Sequence, residues 1–119
     1  MNRTAHKLAH RIANIALSKK GYDIRILNLE SLSTMTDYFV IISGEADVHV
    51  NAIAKAVDIE LSKEGIKPYG SEGVREGRWA LLDYVDVVVH IFQESIRQFY
   101  LLEKLWGDAP TEKVQDKLP

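Results

Sequence analysis

Asp47, His49, Asp83, Asp86 and His90 offer oxygen and nitrogen ligands that could hold a cation. Their spacing argues against that use. His49 falls in a helical pattern and His90 in a strand pattern, with no paired motif such as HExxH joining them. A metal site needs several converging ligands and further groups that orient them. The plainer reading places His90 in hydrogen bonds within or beside a sheet and His49 on a helix surface. No metal and no cofactor is expected. Gly70, Gly73 and Gly77 raise phosphate binding as a second chemistry. A phosphate cradle opens into a helix N-terminus, where free amides and the helix dipole meet the anion. This segment opens instead into the strand-like Trp79-Ala80-Leu81-Leu82, and Glu72 and Glu76 would repel an anion. A flexible hairpin or loop is the expectation.

Nucleotidyl transfer is the sharpest alternative. Ser43-Gly44, at the end of an apolar run and before a helical pattern, is similar to the small-residue turn of nucleotidyltransferase folds. Those enzymes hold two magnesium ions on neighbouring carboxylates, commonly an Asp-x-Asp pair with a third acid. Asp47-Val48-His49 and Asp83-Tyr84-Val85-Asp86 do not supply that pair. Only residues i and i+2 share a face of a strand, so the spacing of Asp83 and Asp86 suits a turn. Ser33, Ser43, Ser71 and Ser95 lack a GxSxG elbow to activate them.

The elements that would position these groups are legible from periodicity. Ala5, Leu8, Ala9, Ile12, Ile15 and Ala16 recur at helical spacing, and Lys19-Lys20-Gly21 predicts the stop. Ile24, Ile26 and Leu29 predict a strand. Tyr38-Phe39-Val40-Ile41-Ile42 is apolar without alternation, as a central strand covered on both faces would be. Ala46, Val50, Ile53, Ala54, Val57 and Leu61 predict a second helix, with Gly65 as its stop. Residues 67–78 read as a loop with at most a short strand. Two strands follow around Asp83 to Asp86. Ile96, Phe99, Tyr100, Glu103 and Trp106 then share one face of a last helix. The expected order is α-β-β-α-(β)-β-β-α, an α/β fold with a mixed four- to five-stranded sheet flanked by helices. Residues 1–109 form the one expected domain, and residues 110–119 a polar, mobile tail.

With 119 residues, 46% of them hydrophobic, the chain suits a single core. The formal net charge of −2 does not fit a dedicated nucleic-acid binder, whose affinity comes largely from neutralised phosphates. Little direct RNA binding is expected, although a ribonucleoprotein can be gripped through its protein. There are no cysteines, which rules out disulfides and thiolate chemistry. No apolar run approaches the roughly 20 residues that cross a bilayer, and no secretory signal is expected.

Asp37-Tyr38-Phe39-Val40-Ile41-Ile42-Ser43-Gly44 with His49-Val50, Glu72-Gly73 with Gly77-Arg78-Trp79, and Leu81-Leu82-Asp83-Tyr84 with Asp86 through Phe92 form ordered blocks, closed by Arg97 through Trp106. In these blocks the chain resembles the ribosomal silencing factor, or Iojap-related, family from about residue 4 to residue 109. One departure is Val85, where the family often has glycine; a β-branched residue disfavours positive φ, so another turn geometry is expected. The resemblance implies a cytoplasmic, non-enzymatic translational repressor. It would bind the large ribosomal subunit through universal ribosomal protein number fourteen and block joining of the small subunit when nutrients are scarce. It also implies a nucleotidyltransferase-like core without the catalytic carboxylates, homodimer formation, and in some members a part in large-subunit assembly.

Interface hot spots favour aromatic residues and arginine framed by polar groups. The expected partner-binding set is therefore Trp79, Leu81, Asp83, Tyr84 and Asp86 from the strand pair, with Arg97 and Tyr100 from the last helix. Alternation puts Trp79, Leu81 and Asp83 on one strand face and Ala80, Leu82 and Tyr84 on the other, so Tyr84 joins only if the turn re-aims it. Core burial is the competing reading for Trp79 and Tyr100, and the expected one for Phe99 and Trp106. Asp83 and Asp86 can equally serve turn amides, and Arg97 a surface charge or a pair with Asp86.

Overall fold

The uninterrupted apolar run at Tyr38–Ile42 lies in the middle of a mixed sheet. The structure is a computed structural model that describes residues 2–100 and 107–115, and of residues 98–100 only the backbone. In chain order the elements are α1 (Arg3–Ser18), β1 (Tyr22–Asn28), β2 (Tyr38–Gly44), α2 (Asp47–Lys63), β3 (Gly70–Glu72), β4 (Trp79–Asp83), β5 (Val87–Gln93), α3 (Glu94–Tyr100) and β6 (Thr111–Val114). The strands follow the order β3-β4-β5-β2-β1-β6. β2 pairs parallel with β5, Tyr38 opposite Val87 and Gly44 opposite Gln93. The other neighbouring pairs are antiparallel.

The described sheet thus has six strands, where four or five were expected. The additional strand is β6, inside the segment expected to be a mobile tail. Its residues Thr111, Glu112, Lys113 and Val114 show no apolar alternation, and three of the four are exposed. An outermost strand is fixed by backbone hydrogen bonds and needs no buried face, so hydropathy does not reveal it. Ile24 to Leu27 of β1 supply the pairing register.

α1 and α2 cover one face of the sheet. Ala5, Ala9, Ile12, Ala13 and Ala16 of α1 and Val50, Ile53, Val57 and Leu61 of α2 pack on Val40, Ile42, Leu82, Val87, Val89 and Ile91. Asn2 caps α1: its Oδ1 accepts from the Ala5 amide at 3.0 Å, and its Nδ2 donates to Asp37 at 2.8 Å. The stop after α1 differs from expectation. Lys20, not Gly21, takes the positive φ of 64°. Gly21 serves close approach, since a Cβ there would lie 3.0 Å from both the Ala16 oxygen and Ile42 Cγ2.

On the opposite face, Leu27, Leu29, Ile41, Phe92 and Ala109 form a second cluster, with Phe39, Trp79 and Ile96 packed against it. This explains why β2 needed no alternation, as both its faces are covered. Phe99 and Trp106, expected in the core, lie outside the described side chains.

The β4–β5 turn overturns the expected geometry. Val85 adopts φ 71°, the conformation a glycine would take. The Asp86 amide donates to the Tyr84 carbonyl at 2.9 Å, which closes a tight turn centred on Val85. Asp83 Oδ1 accepts from the Val85 amide at 2.8 Å and holds the turn from outside. A β-branched residue in left-handed geometry stores about 1–3 kcal/mol. Val85→Gly should therefore raise stability by about 1 kcal/mol, or roughly 4 °C in melting temperature, after allowance for the entropy of glycine. Thermal unfolding of the two proteins checks this; an unchanged or lower midpoint refutes it.

Candidate functional site: an apolar groove on the open sheet face

The period-two alternation of β4 sorts its side chains. Ala80 and Leu82 are buried beneath α1 and α2, while Trp79, Leu81 and Asp83 are half-buried on the other face. Pairing places Leu81 opposite His90 and Asp83 opposite Val88, so β5 continues the same surface. Phe39 of β2 lies opposite Val88. Together with the β1–β2 connection and Tyr69, these residues enclose a groove of about 670 Å³. Met35, Phe39, Leu81, Val85 and Val88 make its lining largely apolar, and Ser33, Thr36 and Asp83 supply polar points. Met35 is 87% exposed and Tyr69 84%, which is unusual for such large apolar groups.

The floor is an aromatic array around His90. Its ring meets Phe39 edge-on with centroids 4.6 Å apart and stacks on Phe92 at 6.0 Å. Trp79 Nε1 donates to His90 Nδ1 at 3.1 Å, and the Trp79 ring contacts Phe92 at 4.6 Å. Since Nδ1 accepts, the neutral ring carries its proton on Nε2. That Nε2 is buried without a hydrogen-bond partner. Burial lowers the His90 pKa to about 4, so the ring is neutral at physiological pH.

The expected partner-binding residues divide. Trp79, Leu81 and Asp83 share the open face as alternation required. Tyr84 does not join them: it is buried on the helix side, and burial, followed by the Asp58 carboxylate, pushes its hydroxyl up to about 12. The turn leaves it inward. Arg97 is also buried, with Nη1 donating to the Asp23 carbonyl and, at 2.8 Å, to Ser43 Oγ. It ties α3 to β1 and β2 rather than pairing with Asp86. Asp86 lies in the turn, where its carbonyl accepts from the Asp37 and Tyr38 amides at 3.0 Å and its Oδ2 from Asn2 at 3.4 Å. The side chain of Tyr100 lies outside the described residues.

The chemical alternatives resolve similarly. Asp47, His49, Asp83, Asp86 and His90 do not converge. His49 is fully used, with Nδ1 accepting from the Glu45 amide at 2.9 Å and Nε2 2.8 Å from the Lys19 carbonyl. The glycine segment leads into β4, as read, but it is pinned rather than loose: Asn51 Nδ2 donates to the Val74 carbonyl at 2.8 Å and Gln93 Nε2 to the Gly77 carbonyl at 3.0 Å. One grouping escaped the sequence reading. His6 and His10 of α1 converge with Glu112 of β6. The four-residue histidine spacing was visible on a helix, but Glu112 joins only because β6 pairs with β1.

Among the described residues no helix is long and apolar enough to cross a membrane. The chain matches the family described as "Ribosomal silencing factor during starvation" over residues 2–119. The ribosomal silencing factor RsfS of Bacillus subtilis is 46% identical over 92 residues, which cover 77% of this chain and 78% of that one. "Mitochondrial assembly of ribosomal large subunit protein 1" of Mus musculus is 28% identical over 99 residues, 80% of this chain and 43% of that one. The crystal structure of protein CV0518 from Chromobacterium violaceum superposes with a TM-score of 0.83 at 29% identity, covering 96% of this chain and 92% of that one. A match that runs nearly from end to end, in both sequence and fold, shows that this chain belongs to the ribosomal silencing factor family.

Proposed function

We propose that this protein represses translation by docking its apolar groove on the large ribosomal subunit, on universal ribosomal protein number fourteen, and so obstructing the small subunit. Family membership supports the ribosome as target, and the observation that carries the docking surface is the exposed groove between the β1–β2 connection and β4. Its apolar lining suits side chains of a protein, and the net charge of −2 suits a protein contact better than a phosphate backbone. About 800 Å² on each partner is a standard interface, so the groove would supply its apolar centre and the surrounding surface the rest. The mechanism is steric and non-enzymatic, in the cytoplasm, and requires overlap and residence time only.

The same reading treats the sheet as a nucleotidyltransferase-like core whose acids serve turns. Asp83 holds the Val85 amide, and Ser43 is buried against Arg97 instead of facing a substrate. A part in large-subunit assembly is the second reading, favoured by the name of the mouse relative. Both use one surface and differ in timing.

The test is co-sedimentation with separated subunits. The natural chain should pellet with large subunits and prevent their joining to small ones. Trp79→Ala and Leu81→Glu should each bind at least tenfold more weakly while remaining folded. Failure of the natural chain to pellet, or full binding by both variants, overturns the proposal. Particles profiled from a deletion strain separate the readings, since assembly predicts immature large subunits during growth and silencing does not. Sedimentation without ribosomes tests the homodimer.

A further inference from the structure

Outside the groove, the two ends of the described chain meet at a cluster of a different kind. We propose that His6, His10 and Glu112 form a binding site for a borderline divalent transition-metal ion, zinc foremost, which clamps β6 to α1. The two histidines stand at positions i and i+4, so on α1 their rings lie on the same face, about one turn apart. Both reach one carboxylate: His6 Nε2 lies 2.8 Å from Glu112 Oε2, and His10 Nε2 lies 3.1 Å from Oε1. One ligand atom from each residue falls within 4.8 Å of the others.

The donor set selects the ion. Two imidazoles and one carboxylate are a ligand set that zinc takes when it keeps a position open for water. Magnesium and calcium prefer oxygen ligands, which two imidazoles do not provide. Ligands around a tetrahedral zinc at about 2.0–2.1 Å stand roughly 3.3 Å apart. Against that spacing the two histidine–carboxylate contacts open by up to about 0.5 Å and the widest pair closes by up to about 1.5 Å, a side-chain adjustment in which each imidazole binds through a deprotonated Nε2 and keeps its proton on Nδ1. Access is adequate, with the side chains of His6, His10 and Glu112 exposed by 28%, 39% and 46%. The rings are also held in place: His6 and His10 meet edge-on at 4.6 Å, and His6 lies 5.5 Å from the ring of the buried Tyr38.

What the metal adds is mechanical. Among the described residues β6 pairs in the sheet with β1 alone. A clamp from β6 to α1 ties this strand to the helical layer as well. An ion that binds the folded chain and not the unfolded one also stabilises the fold by mass action. The site departs from the expectation of no metal, and it became visible only with β6 in place.

Calorimetry of the full chain with zinc sulfate, together with the visible spectrum after cobalt(II) addition, tests this. One zinc per chain at micromolar affinity is expected, with the intense absorption of four-coordinate cobalt. His10→Ala and Glu112→Ala should each weaken binding at least tenfold, while His49→Ala leaves it unchanged. Zinc should slow hydrogen exchange of the β6 amides in the natural chain and not in either site variant. Circular dichroism confirms that both variants remain folded, as their side chains lie outside the core. Absence of binding below millimolar zinc, or undiminished binding by His10→Ala, overturns the proposal.

Discussion

Lowering the pH from about 7 to about 4 should remove about 3 kcal/mol of stability through His90 alone. The ring is neutral in the folded protein because burial holds its pKa at about 4, against an ordinary value of 6.5. Above pH 6.5 neither state carries the proton, and His90 has no influence. Between 6.5 and 4 the unfolded chain binds a proton that the folded chain refuses, so folding weakens by about 1.4 kcal/mol for each pH unit. Below 4 both states are protonated and the loss stops growing. The rings of Phe39, Trp79 and Phe92 surround the imidazole, and Nδ1 is already engaged by the Trp79 N–H. Protonation there would break that bond as well as bury a charge. Urea unfolding of the natural chain and of His90→Gln at several pH values isolates the effect from other titrating groups. The difference between the two should shrink by about 3 kcal/mol on acidification. Parallel curves would show that His90 titrates as an ordinary surface histidine.

Gly77→Ala should be comparably severe, near 3 kcal/mol or more, lowering the melting temperature by about 12 °C. Gly77 has φ 71°, which a Cβ resists. The larger problem is space, because an added Cβ would overlap the backbone oxygen of Asp47 and lie 2.7 Å from its Cα. Those atoms belong to the first turn of α2 and cannot withdraw without moving the helix. The Gly77 carbonyl also accepts from Gln93, so the segment has no free direction to shift. Gly65→Ala is the matched control, with φ 79° and nothing within 4 Å of the added carbon. It should lose about 1 kcal/mol, the conformational part alone. Equal losses at the two positions would refute the steric argument.

These positions also show where sequence stops being informative. The central strand, the two helices of the first layer and the alternation of β4 followed from hydrophobic period, because burial writes itself into spacing. Trp79, Leu81 and Asp83 were therefore assigned to the correct face. Tyr84 stayed on the inward face that alternation gives it, while the burial of Arg97 was not legible, because a buried arginine looks the same in sequence as an exposed one. Only the Asp23 carbonyl and Ser43, distant in the chain, explain Arg97. Val85 was assigned a different turn from its propensity, yet the tight connection between β4 and β5 imposes positive φ. The groove escaped because part of its wall, around Met35, comes from an irregular connection without periodicity. β6 escaped for a related reason, since backbone hydrogen bonds to β1 hold it in the sheet and leave most of its side chains free to be polar.

The long stretch of chain between β1, which ends at Asn28, and β6, which begins at Thr111, has a consequence for synthesis. Until Thr111–Val114 emerge, the outer side of β1 offers a row of unsatisfied amides and carbonyls, from Ile24 to Leu27. Such a row is a template for any passing extended polypeptide. The newborn molecule is therefore most prone to self-adhesion in the interval before β6 arrives, and β6 serves as the cap that ends that vulnerability.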